Sequence, residues 1–144
     1  MQFRKVLEKL DREELKEINK TGTLSLPDDI TEIEKYTFHN LDKLKTITLP
    51  KSLRSVKKHS FYNCGLEEVR LQSLPILAPD AFGHCPNIKR VILSYDIAHN
   101  MDREKTYQVV KALKMVFGYG VWVVGDHCPE RAEEDVEEEF DDEI

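Results

Sequence analysis

Residues 44–64, LKTITLPKSLRSVKKHSFYNC, and residues 66–85, LEEVRLQSLPILAPDAFGHC, carry one pattern twice. Each opens on Leu-x-x-Ile/Val-x-Leu, from Leu44 to Leu49 and from Leu66 to Leu71. Each closes on a small residue, a Phe and a Cys, in Ser60-Phe61 with Cys64 and Ala81-Phe82 with Cys85. Upstream, Thr37-Phe38-His39-Asn40 repeats the close, and downstream Ile88 to Leu93 repeats the opening. Phe38, Phe61 and Phe82 therefore fall 23 and 21 residues apart, and the other apolar residues keep that register. Leu26, Leu49, Leu71 and Leu93 form one column, Ile30, Leu53 and Leu74 a second, and Ile33, Val56 and Leu77 a third. Such a period marks a solenoid, because one unit cannot bury its own apolar edge. Solenoids present surfaces, so binding is a better starting expectation than chemistry.

The Leu-x-x-Val-x-Leu core is that of a leucine-rich repeat, whose short strands stack in parallel. In the ordinary form, Asn or Cys follows three residues after the last Leu. Here those positions hold Ser52, Leu74 and Asp96, so the Asn-ladder type does not fit. Small-Phe-x-x-Cys, recurring at a fixed distance from Leu-x-x-Val-x-Leu, resembles the BspA-type leucine-rich repeats over about residues 23–94. The chain departs from that pattern at Glu34, Lys57 and Ala78, where Gly is common, at Leu41 in place of the first Cys, and at Gln72 and Ser94 in place of Pro. The resemblance implies an α/β leucine-rich-repeat solenoid of three irregular coils, each of about 22 residues, with a parallel sheet on its concave side. Phe would fill the convex side beneath Thr37, Ser60 or Ala81. Pro27 and Pro50, lacking an amide donor, would end their strands. Asn40 and Asn63 are expected to bond the turn backbone.

Three coils extend only about 15 Å along the stack, so both ends need covers. Phe3, Leu7 and Leu10 follow helical spacing, and Asp11-Arg12-Glu13-Glu14 reads as a capping box that starts a second short helix, stopped by Gly22. Residues 1–22 are thus an N-terminal helical cap and 23–94 the repeats. Residues 95–128 form a C-terminal helix-strand cap, and 129–144 an acidic tail with the composition of a flexible segment. In the C-terminal cap, Asp102-Arg103-Glu104 starts a helix whose apolar face holds Val109, Val110, Leu113, Val116 and Phe117. After Gly118 and Gly120, Val121 to Val124 is predicted to add one more parallel strand to the repeat sheet.

The chain of 144 residues has a net charge of −6, but the charge is segregated. Residues 130–144 hold ten acidic residues against one Arg, a local balance of −9, which leaves +3 for the other 129. No run of 18 apolar residues exists, so no membrane span is expected. The first ten residues lack the apolar run of a secretory signal, which points to a cytoplasmic protein, although relatives of the resembled family are often secreted or surface-bound. Cys64 and Cys85 occupy equivalent sites in neighbouring coils and are expected to be reduced, buried core thiols, with a bridge open to them in an oxidising compartment.

Strand alternation predicts which residues face a partner. Ser25, Thr48, Arg70, Ile92 and Trp122 form one outward row, with Thr46, Glu68 and Arg90 beside it. Arg and Trp are enriched at interface hot spots, so Glu68, Arg70, Arg90, Ile92 and Trp122 are the candidate partner-binding residues for a non-catalytic protein-interaction module. A second possibility is an acidic decoy whose tail, through Glu137, Glu138, Glu139 and Phe140, mimics nucleic acid or docks on a basic partner. Val136, Phe140 and Ile144 recur every four residues and would share a helical stripe. Within the chain, Lys51, Arg54, Lys57, Lys58 and His59 offer that tail a basic coil to dock on. Direct nucleic-acid binding is not expected, because stacking aromatics beside those cations are few. An edge-strand dimer beyond Val121 to Val124 is the alternative to a monomer. Asp126-His127-Cys128 and His84-Cys85 have suggestive letters but not the spacing of a nucleophilic or zinc site, and no glycine motif cradles phosphate. No catalytic residue, metal ligand or cofactor is assigned.

Overall fold

The computed structural model describes residues 6–126 and 137–139. Two sheets run along the stacked coils. The shorter is β1 (Val6–Leu7), β3 (Glu32–Ile33), β5 (Ser55–Val56) and β7 (Ile76–Leu77), all parallel. The longer joins β2 (Thr23–Ser25), β4 (Thr46–Leu49), β6 (Glu68–Leu71), β8 (Arg90–Leu93) and β9 (Trp122–Asp126) in parallel. A last strand, β10 (Glu137–Glu139), is added antiparallel to β9. The repeat columns are the sheet registers. Leu24, Ile47, Val69, Val91 and Val123 align across the longer sheet, and Leu49, Leu71 and Leu93 align two residues on, all buried between the sheets. Leu7, Ile33, Val56 and Leu77 align in the shorter sheet. The period of two thus turns alternate residues inward and leaves the others on the face that a leucine-rich repeat makes concave.

The phenylalanines stack. Phe38 and Phe61 lie 4.4 Å apart between ring centroids with planes 4° from parallel, and Phe61 and Phe82 lie 4.7 Å apart at 6°. These distances are the pitch of the coils, about one strand spacing. Phe117, from the helix α3 (Arg103–Phe117), closes the column against Phe82 at 4.3 Å. The small residue before each Phe does more than leave room. Thr37 donates its hydroxyl to the carbonyls of Leu7 and Glu34, and Ser60 donates to those of Lys57 and Ile33, so each polar side chain ties its coil to the one before. Ala81 ends that ladder.

The N-terminal cap differs from the helix-then-helix expectation. Val6–Leu7 is a strand, not part of a helix, because Leu7 enters the inward column beside Ile33 and its backbone satisfies the edge of β3. Phe3 lies outside the described residues. The second helix is present as α1 (Arg12–Thr21): Glu14 N–H donates to Asp11 Oδ1 at 2.8 Å, and Asp11 N–H to Glu14 Oε1 at 2.9 Å. Gly22 ends α1 in the left-handed region at φ 75°, and its carbonyl accepts from Lys45 and Thr46, handing the chain to the next coil. At the other end, a short helix α2 (Tyr95–Ala98) follows β8, and α3 starts on Asp102, whose carboxylate accepts from Lys105 N–H. The helix-strand cap carries the chain back to β9, the added parallel strand. Leu74, placed by its column in the core, is 42% exposed. The chain departs into α2 and α3 after β8, so β7 is the end of the shorter sheet.

The turns use left-handed backbone at matching positions, with φ near +60° at Tyr36 and His59 and at Asn40, Asn63 and His84. Asn is well suited to that region. Asn63 donates to the side chain of Asn40 at 2.8 Å, so the two amides ladder across coils rather than bonding the turn backbone.

Candidate functional site: the open face of the longer sheet

The register sets out two rows on the face turned from the core. One runs Thr23, Thr46, Glu68, Arg90, Trp122, and the other Ser25, Thr48, Arg70, Ile92, Val124. Trp122 therefore faces outward, at 54% exposure, but lies opposite Arg90 rather than Ile92. Alternation gives a residue's face and not its partner. The two-residue shift comes from Val121, which leaves the Gly118–Gly120 turn still inside the core.

Glu68 organises the centre of the face. Arg70 Nε donates to Glu68 Oε2 at 2.9 Å, and Arg90 Nη1 lies 3.8 Å from Glu68 Oε1. The carboxylate is the most shielded of the three, and both guanidinium groups keep two-fifths of their side-chain surface in solvent. The triad of Glu68, Arg70 and Arg90 carries a formal charge of +1. Ile92 does not belong to the contact surface. It occupies the outward row but is 1% exposed, and Val124 beside it is 6% exposed, although neither packs in the main core. The face is closed to solvent at these two positions.

The acidic segment is a strand where it is described. Glu137 pairs with Asp126, Glu138 with Gly125 and Glu139 with Val124, so a helical stripe does not form at Glu137–Glu139. Phe140, Val136 and Ile144 lie outside the described residues, as do His127 and Cys128. The edge of β9, considered for dimer formation, is occupied by the chain's own β10.

The basic coil does not form a single patch. Lys51 pairs with Asp96, Lys57 with Glu32, and Lys58 and His59 with Asp80, at 3.8 to 4.0 Å. Two features escaped the sequence. One is an outer strip of rings in which Tyr36 meets His39 and His59, and Tyr62 meets His59 and His84, at centroid distances of 4.9 to 5.6 Å. The other is the mode of thiol burial: Cys64 Sγ donates to the Phe38 carbonyl and Cys85 Sγ to that of Phe61. Cys64 and Cys85 are both unbridged. Contact with the Cys85 thiol, together with burial, holds the Cys64 thiol far above the usual thiol range. Among the described residues no cluster of His, Cys, Asp and Glu could hold a metal ion.

Stacked coils with a Phe column, and an open strand face bearing polar and aromatic side chains, define a leucine-rich-repeat protein. The family model described as "BspA type Leucine rich repeat region (6 copies)" matches residues 8–111, and the chain belongs to this family. No curated protein and no solved structure matches the chain. Among the described residues no helix is long and apolar enough to cross a membrane.

Proposed function

We propose that the chain is a non-catalytic module that binds a protein partner through the open face of its longer sheet, centred on Glu68, Arg70, Arg90 and Trp122. Membership in a leucine-rich-repeat family supports protein interaction in general. The observation that carries the specific surface is the Arg70–Glu68–Arg90 triad next to a half-exposed Trp122, a grouping of hot-spot residue types on a rigid strand scaffold. Exposed ion pairs of this kind contribute little to folding. An acidic decoy function has less support, because Glu137–Glu139 engage the chain's own sheet. Charge reversal tests the surface. Arg70→Glu with Arg90→Glu should abolish capture of the partner from the native source while the circular dichroism spectrum and melting temperature hold. Undiminished capture by a folded double variant rejects the surface.

A further inference from the structure

Each coil passes from the shorter sheet to the longer one through an outer turn, and the turns set their side chains in rows. Two residues before the buried phenylalanine stand Tyr36, His59 and Asp80, and one residue after it stand His39, Tyr62 and Gly83. The first row is joined end to end. Tyr36 Oη meets His59 Nδ1 at 3.3 Å, and His59 Nε2 lies 4.0 Å from Asp80 Oδ2, so one imidazole sits between a phenol and a carboxylate. In the second row Gly83 leaves the third coil without a side chain. A Cβ there would stand 3.3 Å from Tyr62 Cδ1 and 3.4 Å from the Asp80 carbonyl oxygen. The gap belongs to an open groove of about 500 Å³ lined by Tyr36, His59, Tyr62, Asp80, Gly83 and His84. That volume suits a small organic ligand or one stretch of a longer one.

The lining points to the ligand class. It is made of aromatic rings, one carboxylate and bare backbone, and it offers an apolar side chain no aliphatic anchor. Asp80 is paired with Lys58 at 3.8 Å, so its charge is already met. Both Lys58 and His59 lie against Oδ2, which leaves Oδ1 to accept from a hydroxyl. Rings step along the stack with the coils, from Tyr36 to His59 at 5.6 Å and from Tyr62 to His84 at 4.9 Å between centroids. A sugar combines a C–H face that stacks on the electron-rich face of such rings with hydroxyls for the polar rim. We infer that this groove binds a neutral linear polysaccharide laid along the stacking axis, a ligand separate from the protein partner of the sheet face. Tyr62 is the platform beside the Gly83 gap, Asp80 accepts from hydroxyls, and Tyr36, 49% exposed, offers a further ring. His59 is a positioning residue that holds Tyr36 and Asp80 in place. A neighbouring groove on the same turns, with Asn40, Asp42, Asn63 and Asn87, supplies further hydroxyl partners.

Affinity electrophoresis of the full chain tests this, through native gels that each contain one polysaccharide: hydroxyethyl cellulose, xylan, galactomannan, laminarin or soluble starch. At least one should retard the chain, and added sodium chloride should not reverse the effect. Tyr62→Ala should raise the dissociation constant read from the retardation by about ten-fold, the upper end of what one ring contact contributes, whereas Tyr62→Phe keeps the ring and should keep the binding. Gly83→Val fills the gap without altering a charge and should abolish retardation, with Gly83→Ala as the milder companion if the melting temperature falls. Arg70→Glu with Arg90→Glu should leave retardation unchanged, which separates this site from the partner face. Unaltered mobility in every gel, or retardation that persists in folded Tyr62→Ala and Gly83→Val chains, would overturn the inference. Retardation by dextran sulfate alone would also overturn it and assign the turns to anion binding.

Discussion

Removing the central ring of the Phe column is the sharpest perturbation of the fold. Phe61 is fully buried and stacked on both faces, 4.4 Å from Phe38 and 4.7 Å from Phe82. Truncating a core Phe to Ala costs about 3–5 kcal/mol. Stacked pairs contribute about 0.5–1.5 kcal/mol beyond their buried area, and Phe61 belongs to two of them. Phe61→Ala should therefore fall at the top of the range, about 5 kcal/mol, a large fraction of the roughly 5–15 kcal/mol typical of whole domains. Urea unfolding followed by far-ultraviolet circular dichroism measures this, with Phe61→Leu as the milder companion if the Ala variant is already unfolded. A double-mutant cycle between Phe61 and Phe82 should return a coupling of about 0.5–1.5 kcal/mol. A cost below about 1 kcal/mol for Phe61→Ala, or no coupling across the cycle, would refute a column of rings as the core of the stack.

Other outcomes follow from single contacts. Gly65→Ala should lose about 1–3 kcal/mol in the same assay, because a Cβ there would overlap the Asp42 carbonyl oxygen, which is backbone and cannot swing away. Asp11→Ala should lose about 0.5–2 kcal/mol through the capping box, read as a lower urea midpoint with an unchanged slope. The raised Cys64 thiol keeps its proton in the folded chain at pH values where the unfolded thiol, with an ordinary value of 9.0, gives it up. The same contact lowers the Cys85 thiol, so the two cysteines act on the pH dependence of stability in opposite directions.

Much of the fold was legible because the apolar columns are the sheet registers. Phe38, Phe61 and Phe82 stack as their spacing implies, and the parity of Val121 to Val124 was enough to place a fifth parallel strand. What stayed hidden depends on tertiary context. Residues 3, 7 and 10 satisfy helical spacing, but Leu7 also fits the coil column, and the open edge of β3 decides for a strand. Ile92 faces where alternation says it faces, yet nothing in its neighbours announces that this position is closed to solvent. The acidic composition of residues 133–143 argues against a packed element, and it takes the backbone of β9 to recruit Glu137–Glu139. The basic residues of one coil read as a patch because a sequence lists cations together, while Glu32, Asp80 and Asp96 reach them from other coils.

The central claim is that the open face of the longer sheet is where a protein partner sits. Site-specific photocrosslinking tests it most directly, with the reactive group placed at Thr48 on that face or at Lys58 on the outer turn. Covalent capture of the native partner from Thr48, and none from Lys58, is the predicted result. Capture from Lys58 with none from Thr48 would contradict the account.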